Sequence, residues 1–296
     1  MPAVNIIGLE TIPDVKPGQD LAELISRAVS EEDVELEDGD ILVVSSKIVS
    51  KAENRVVDLN KIEPGKKARS IANKTGKDSR RVQVIMDEGH EIVGFLSLHK
   101  LAHHRELMKS YFGDERANEA FSANESVLFT KIPGGQLMTD GGTDFSNVEG
   151  EDNLSLLPRD PMISADDLRE KLSQKWGVPL GIVISDSEIR ALRQGTADIA
   201  IGYSGVIPME HGFGEPDLYN QPTFGGVDSI CDQLANGAAL VMGQRDEKVP
   251  VVIYKGLSHL QQLNNEKQAQ PALPYNLMAS FMKDVVLSRF KLMFKL

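Results

Sequence analysis

Residues 38–59, DGDILVVSSKIVSKAENRVVDL, decide how this chain is to be read. Gly39-Asp40 marks a turn, and Ile41 to Ser46 then runs as a short apolar segment of the kind that forms a buried strand. Lys47 to Lys51 continues past it into polar residues. Similar runs lie further out: Leu180 to Ser185, Ile199 to Tyr203, Val249 to Lys255 and a shorter one at Val4 to Leu9. Between them apolar residues return at helical spacing. Leu21, Leu24, Ile25 and Val29 form one such stripe, and Val82, Ile85 and Met86 form another behind Asp78. Leu168, Leu172 and Trp176 follow Ser164, read as a cap, with Asp166 and Asp167 in the first turn. Ile230, Leu234, Ala238 and Met242 end at Gly243. A helix from Pro64 through Ala72 stops near Gly76, and short strands at Ser126 to Phe129 and Gln136 to Met138 flank a Pro-Gly-Gly turn. Strands and helices alternate irregularly, with glycine-rich corners. The expectation is an α+β fold with mixed and antiparallel sheets and flanking helices, not a regular doubly wound one.

A chain of 296 residues can bury a sizeable core, and 41% hydrophobic with 26% charged residues is ordinary globular composition. A net charge of −12 argues against binding the phosphate backbone of a nucleic acid, because such proteins carry a basic face. An anionic small ligand would need local cations. Cys231 is the only cysteine, which excludes an intramolecular disulfide and any multi-cysteine metal site. The first residues lack the pattern of a signal peptide and no apolar run reaches bilayer-spanning length, so no membrane role and a cytoplasmic location are expected.

Domain organisation reads as one catalytic domain over residues 1–257, with an insertion expected at 97–124, rich in His, Lys and Glu. Residues 258–296 read as a polar linker and a C-terminal amphipathic helix from Tyr275. His99 and His103 stand at i, i+4 spacing in the insertion, beside His104, but no HExxH pattern or cysteine accompanies them, and surface histidines are the stronger reading.

Chemistry concentrates in two stretches, GGTDFSNV (141–148) and ISDSEIRALRQG (184–195). Asp144 and Asp186 each stand beside hydroxyl or amide side chains, Ser146 and Asn147 in one case, Ser185 and Ser187 in the other. Carboxylates with such neighbours suit a hard divalent cation that also takes phosphate oxygens. Either aspartate alone is equally a turn or capping residue.

With DGDILVVSSKIVSKAENRVVDL, the motifs TDFSNV, GIVISDS, AIGYSGV, EPDLY and LVMGQ come in an order and spacing that resembles the coenzyme F420:L-glutamate ligase family, from Val4 to Gly256. The resemblance implies a gamma-glutamyl ligase-like fold in an intertwined homodimer. It implies a ligase that joins L-glutamate to a carboxylate-bearing acceptor, using GTP (ATP as the alternative), Mg²⁺ or Mn²⁺ and, optionally, a monovalent cation. It places Asp144, Asp186, Ser187 and Gln244 on metal and gives Asp144, Asp186 and Arg190 catalytic roles. The nucleotide falls to Glu10, Thr11, Ile12, Pro13, Ser45, Ser46, Lys51, Asn147, Met242 and Gly243. Departures stand at Asp140-Gly141-Gly142-Thr143, where the family has Asn-Ala-Gly-Ile. Others stand around Arg190 and Arg193, which keep the arginines but lose a glycine and an aromatic, and at Asn220-Gln221. They leave the acceptor open between F420-0 and a folate or pterin conjugate, and leave room for a non-catalytic nucleotide-binding homologue.

Overall fold

A computed structural model describes residues 3–98, 126–133, 135–189, 195–262 and 283. The described residues fall into two compact units, one built from the parts before 59 and from 142 to 262, the other from 59 to 141 together with residue 283.

The first unit is organised around a five-stranded mixed sheet. In chain order its strands are β1 (Asn5–Leu9), β2 (Ile41–Ser45), β8 (Gly181–Ile189), β9 (Thr196–Ser204) and β12 (Val251–Lys255), and in space they run β1-β12-β2-β8-β9. β12 is antiparallel to both β1 and β2, β2 is parallel to β8, and β8 is antiparallel to β9. Ile41 to Val44 are all completely buried, as an unbroken apolar run predicts for a strand covered on both faces. One face is covered by α6 (Ile230–Met242), whose Ile230, Cys231, Leu234, Ala238 and Met242 pack on Ile41, Val43, Val183, Ala200 and Tyr254. The alternating residues Leu42, Val44, Ile182 and Ile184 are equally buried on the other face. There α5 (Pro161–Trp176) lies against β8 and β9, with α1 (Leu21–Glu31) beside it. Each such side chain contributes roughly 1.5–3 kcal/mol by leaving water.

Local chemistry sets the helix ends. Asp20 caps α1 by accepting from the amides of Ala22 and Glu23 at 3.0 and 3.3 Å. The cap expected at Ser164 is corrected. Asp160 accepts from Met162 N and Ile163 N, and Pro161 opens the helix with its preset φ and no N–H to satisfy. Ser164 therefore sits inside α5, its hydroxyl donating to Asp160 O, and Asp166 and Asp167 lie beyond the first turn. The polar stretch after β2 is a helix, α2 (Ser46–Ala52), capped by Ser45. Two short pairs complete the unit, β3 (Val56–Asp58) with β7 (Asn153–Ser155) and β10 (Met209–His211) with β11 (Val227–Ser229). The start of the expected linker is tied down: Gln261 bridges Val206, and Gln262 N donates to Gly205 O.

The second unit carries α3 (Lys66–Thr75) and α4 (Ser79–Asp87) with the antiparallel sheet β4 (Glu91–Ser97), β5 (Ser126–Lys131) and β6 (Leu137–Thr139). Its core joins Ala68, Ala72, Val82, Ile85 and Leu128. Buried Lys77 and Arg81 converge on Asp140 Oδ2 at 2.7 and 3.3 Å. Among the described residues no helix is long and apolar enough to cross a membrane. The insertion (apart from Ser97 and Leu98), its three histidines, and the helix expected from Tyr275 (apart from Lys283) lie outside the described residues.

Candidate functional site

The strand directions gather the candidate residues. β1, β2 and β8 share one direction, so Leu9, Ser45 and Ser185 mark the same edge of the sheet. The chain leaves that edge as Glu10 to Pro13 after β1 and as α2 after β2, and returns to it between α6 and β12 through Gly243 to Pro250. Beyond the last β2 pair, Ser45 with Ser185, β8 and β9 continue alone as a two-stranded ribbon. Asp186 and Ser187 lie on the first residues of this ribbon, pointing to opposite faces as successive strand residues must.

On one face, α2 meets both aspartates. Ser46 Oγ donates to Asp186 Oδ1 at 2.6 Å, and Lys47 Nζ donates to Asp144 Oδ2 at 2.8 Å. Lys47 also donates to Ser155 Oγ at 2.6 Å. Asp144 itself is held by a bridge to β7: its N–H donates to Ser155 O at 3.0 Å and its carbonyl accepts from Ser155 N at 2.8 Å. Ser146 donates to the same carboxylate through its hydroxyl and its N–H. Gly142 makes this approach feasible, because its φ is +63° and a Cβ there would stand 2.5 Å from Leu157.

On the other face three oxygens converge. Asp198, opposite Ser187 across the ribbon, accepts at Oδ1 from Ser187 Oγ at 2.8 Å and from Gln244 Nε2 at 2.9 Å. Ser187 Oγ also lies 2.6 Å from Gln244 Oε1. The single hydroxyl proton cannot serve both acceptors.

Electrostatics separates the carboxylates. Burial pushes the Asp186 carboxyl up to about 7, against the Ser46 hydrogen bond and the Lys47 charge, and the neighbouring Asp144 and Asp198 push it the same way. Burial also raises Asp198, although Ser187 and Gln244 oppose it. Asp144 is desolvated too, but Lys47 and Ser146 outweigh this and hold it below the ordinary value.

The other described candidates sit on the segments that meet this edge, with differing surroundings. Glu10 N, Thr11 N and Thr11 Oγ1 all donate to Glu32 Oε1 at 2.8 Å, Ile12 is buried and Pro13 exposed. Lys51 is paired with Asp14 at 2.7 Å. Asn147, at φ +53°, donates from Nδ2 to Arg245 O at 2.9 Å, which joins the Asp144 loop to the loop after α6. Met242 is core, and Gly243 ends α6 at φ +67°. Arg190 and Arg193 lie outside the described residues. Sequence reading missed Lys47, Ser155, Asp198 and Glu32. Lys47 was the most accessible of these, since it directly follows the serine pair.

Among the described residues no three His, Cys, Asp or Glu side chains form a metal-holding group. Cations here would take mixed oxygen donors, the carboxylates of Asp144 and Asp186 on one face of the ribbon and the Ser187 hydroxyl and Gln244 carbonyl on the other. That donor set fits a hard cation such as Mg²⁺ or Mn²⁺. Two features of the site agree with it: burial pushes the Asp186 carboxyl up to about 7, and Ser185 Oγ is buried with no hydrogen-bond partner among the described residues.

A family model described as F420-0:Gamma-glutamyl ligase matches residues 10–256. The chain is 35% identical over 260 residues to the coenzyme F420:L-glutamate ligase of Methanopyrus kandleri, covering 87% of this chain and 90% of that one. It is 36% identical over 254 residues to the protein of that name from Methanothermobacter thermautotrophicus, covering 86% and 89% of the two chains. The protein of that name from Archaeoglobus fulgidus is 33% identical over 255 residues, covering 86% and 88%.

Proposed function

We infer the reaction from family and site together: the chain belongs to the F420-0:gamma-glutamyl ligase family and is an amide-bond-forming ligase. Its activity is that of a coenzyme F420:L-glutamate ligase, which adds L-glutamate to F420-0.

A carboxylate does not acylate an amine until its oxygen is made a leaving group. In the proposed sequence the acceptor carboxylate attacks the γ-phosphorus of GTP. A P–O bond forms to the acceptor, the bond to the β-phosphate oxygen breaks, and GDP leaves. The amine of L-glutamate then attacks the acyl carbon, the C–O bond to phosphate breaks, and inorganic phosphate and a proton are released. Such phosphoryl transfer depends on positioning and on neutralising phosphate charge. Divalent cations held by Asp144 and Asp186 on one face of the ribbon, and by Ser187 and Gln244 on the other, would supply that neutralisation and a template for the phosphates.

The chain's own residues prepare the site. Ser46 fixes the Asp186 carboxylate from α2, the Ser155 bridge fixes Asp144, and Asp198 sets Ser187 and Gln244 side by side. Glu10 to Pro13, Asn147 and Met242 to Gln244 line the same sheet edge for the nucleotide. Lys51 would exchange Asp14 for phosphate.

The observation that carries this reading is the convergence of Asp144, Asp186, Ser187 and Gln244 at one sheet edge from separate parts of the chain. The test incubates the protein with F420-0, isotope-labelled L-glutamate, GTP or ATP, and Mg²⁺ or Mn²⁺. The expected product is heavier by one labelled glutamyl group and is absent with Asp144→Asn. Product formed without any divalent cation would refute the metal-dependent mechanism.

A homodimer is proposed as well. The hairpin between β10 and β11 carries Phe213, Leu218, Tyr219 and Phe224 largely exposed, with Leu218 99% and Phe224 96% accessible. An apolar group of this kind on one hairpin suits a protein partner, here a second copy of the chain.

A further inference from the structure

Lys47 stands where a metal would compete with it. Its side chain is only 19% exposed, and its ammonium contacts the carboxylate oxygen of Asp144 and the hydroxyl of Ser155. The residue before it, Ser46, holds Asp186. Two successive residues at the start of α2 thus grip the two carboxylates proposed as metal ligands, one with a hydroxyl and one with a full positive charge.

A divalent cation bound through Asp144 Oδ2 would lie about 2.1 Å from that oxygen. The Lys47 nitrogen is 2.8 Å from the same oxygen, so the two cations would stand within a few ångströms of each other in a partly dehydrated site. Their like charges disfavour sharing that oxygen. The lysine stem is flexible and its charge compact, so its ammonium can move while the backbone of α2 stays in place. The anion that arrives with the metal is the nucleotide phosphate. Resting on the metal reading above, we propose that Lys47 is a displaceable internal counter-ion. It occupies Asp144 in the nucleotide-free protein, yields that oxygen to the divalent cation, and transfers its charge to the incoming phosphate. Metal and nucleotide then bind cooperatively, because each removes the obstacle to the other.

The alternative role, a buried ion pair that only braces the Asp144 loop, makes the opposite prediction for one measurable quantity. Lys47→Met removes the charge and keeps the length of the stem. Free Mn²⁺ is measured by its electron paramagnetic resonance signal during titration of protein without nucleotide. The expected result is Mn²⁺ binding at least tenfold tighter in Lys47→Met than in the wild type. With GTP present that advantage disappears and the variant's KM for GTP rises. Equal or weaker Mn²⁺ binding by the nucleotide-free variant overturns the proposal. Lys47→Gln, soluble and neutral, gives the same readout if the methionine variant does not fold. Asp144→Asn should bind no Mn²⁺ in either background. If wild type and variant alike bind no Mn²⁺ even with GTP, the metal reading itself fails and the proposal with it.

Discussion

Replacing Asp186 by Asn should stabilise the metal-free protein, and the gain should depend on pH in a calculable way. The carboxyl titrates at 3.8 in the unfolded chain and at about 7 in the folded one, chiefly because the folded chain desolvates it. Between those values the folded protein keeps a proton that the unfolded chain has lost. Wild-type stability therefore falls by about 1.4 kcal/mol per pH unit from 3.8 to about 7 and is flat above. The gap of about 3 units corresponds to about 4 kcal/mol on the plateau and about 1 kcal/mol at pH 4.5. The Asp186→Asn variant has no such titration, and its amide oxygen can still accept from Ser46. The variant also gains two N–H donors, whose effect does not vary with pH. The quantity to compare is thus the stability difference between variant and wild type at pH 8 and at pH 4.5. It should be larger at pH 8 by about 3 kcal/mol. Urea unfolding in the presence of a chelator measures it. Fluorescence of Trp176, the single tryptophan, reports on the unit that holds Asp186, from α5 and its bond to Ser26. A difference independent of pH, or larger at pH 4.5, would refute the desolvation argument.

Other expectations follow from particular contacts. Asp144→Asn should abolish glutamate addition and Mn²⁺-dependent thermal stabilisation while leaving the apo melting temperature within a few degrees, read by calorimetry. Asp198→Ala removes the shared acceptor of Ser187 and Gln244. It should weaken metal activation about 10–100-fold, measured as the Mn²⁺ concentration giving half-maximal rate. Gly202→Ala would place a Cβ 2.2 Å from the backbone oxygen of Pro161 at the foot of α5, and should cost about 1–3 kcal/mol in urea unfolding. Leu218→Ser with Phe224→Ser should convert the proposed dimer to a monomer in light scattering, without loss of helical signal.

The core of the first unit was legible because its signals are local. Ile41 to Val44, Leu180 to Ile184 and the stripe Ile230-Leu234-Ala238-Met242 announce themselves within short windows, and each is buried as expected. Asp186 and Ser187 were found as neighbours in sequence. Asp198 was not, because it comes opposite Ser187 only through the antiparallel register of β8 and β9, which no local pattern specifies. α2 has no signature of its own in the sequence, because seven residues are too few to show a periodic face. Ser164 looked like a cap from its acidic followers, yet the Asp160-Pro161 pair just before it held the stronger signal. Strands of three residues, such as β3 and β7, leave almost no trace in composition. Lys51 was expected at phosphate, and its pairing with Asp14 depends on a loop whose path sequence alone does not give.

The position of β12 has a consequence for how the chain acquires its shape. This strand, at residues 251–255, lies between β1 at 5–9 and β2 at 41–45. Until it has been synthesised, β1 has no neighbour among the described strands and β2 presents a bare edge, although most of the intervening chain is already available to fold. Pairings across so long a separation are slow, and an unpaired apolar edge invites association meanwhile. Closure of the sheet is thus a late event during translation. It is the same event that brings Glu10 to Pro13 and Gly243 to Pro250 to the edge where Asp186 waits, so a nascent chain stalled before Val251 should be unable to retain nucleotide, however much of its remaining structure has formed.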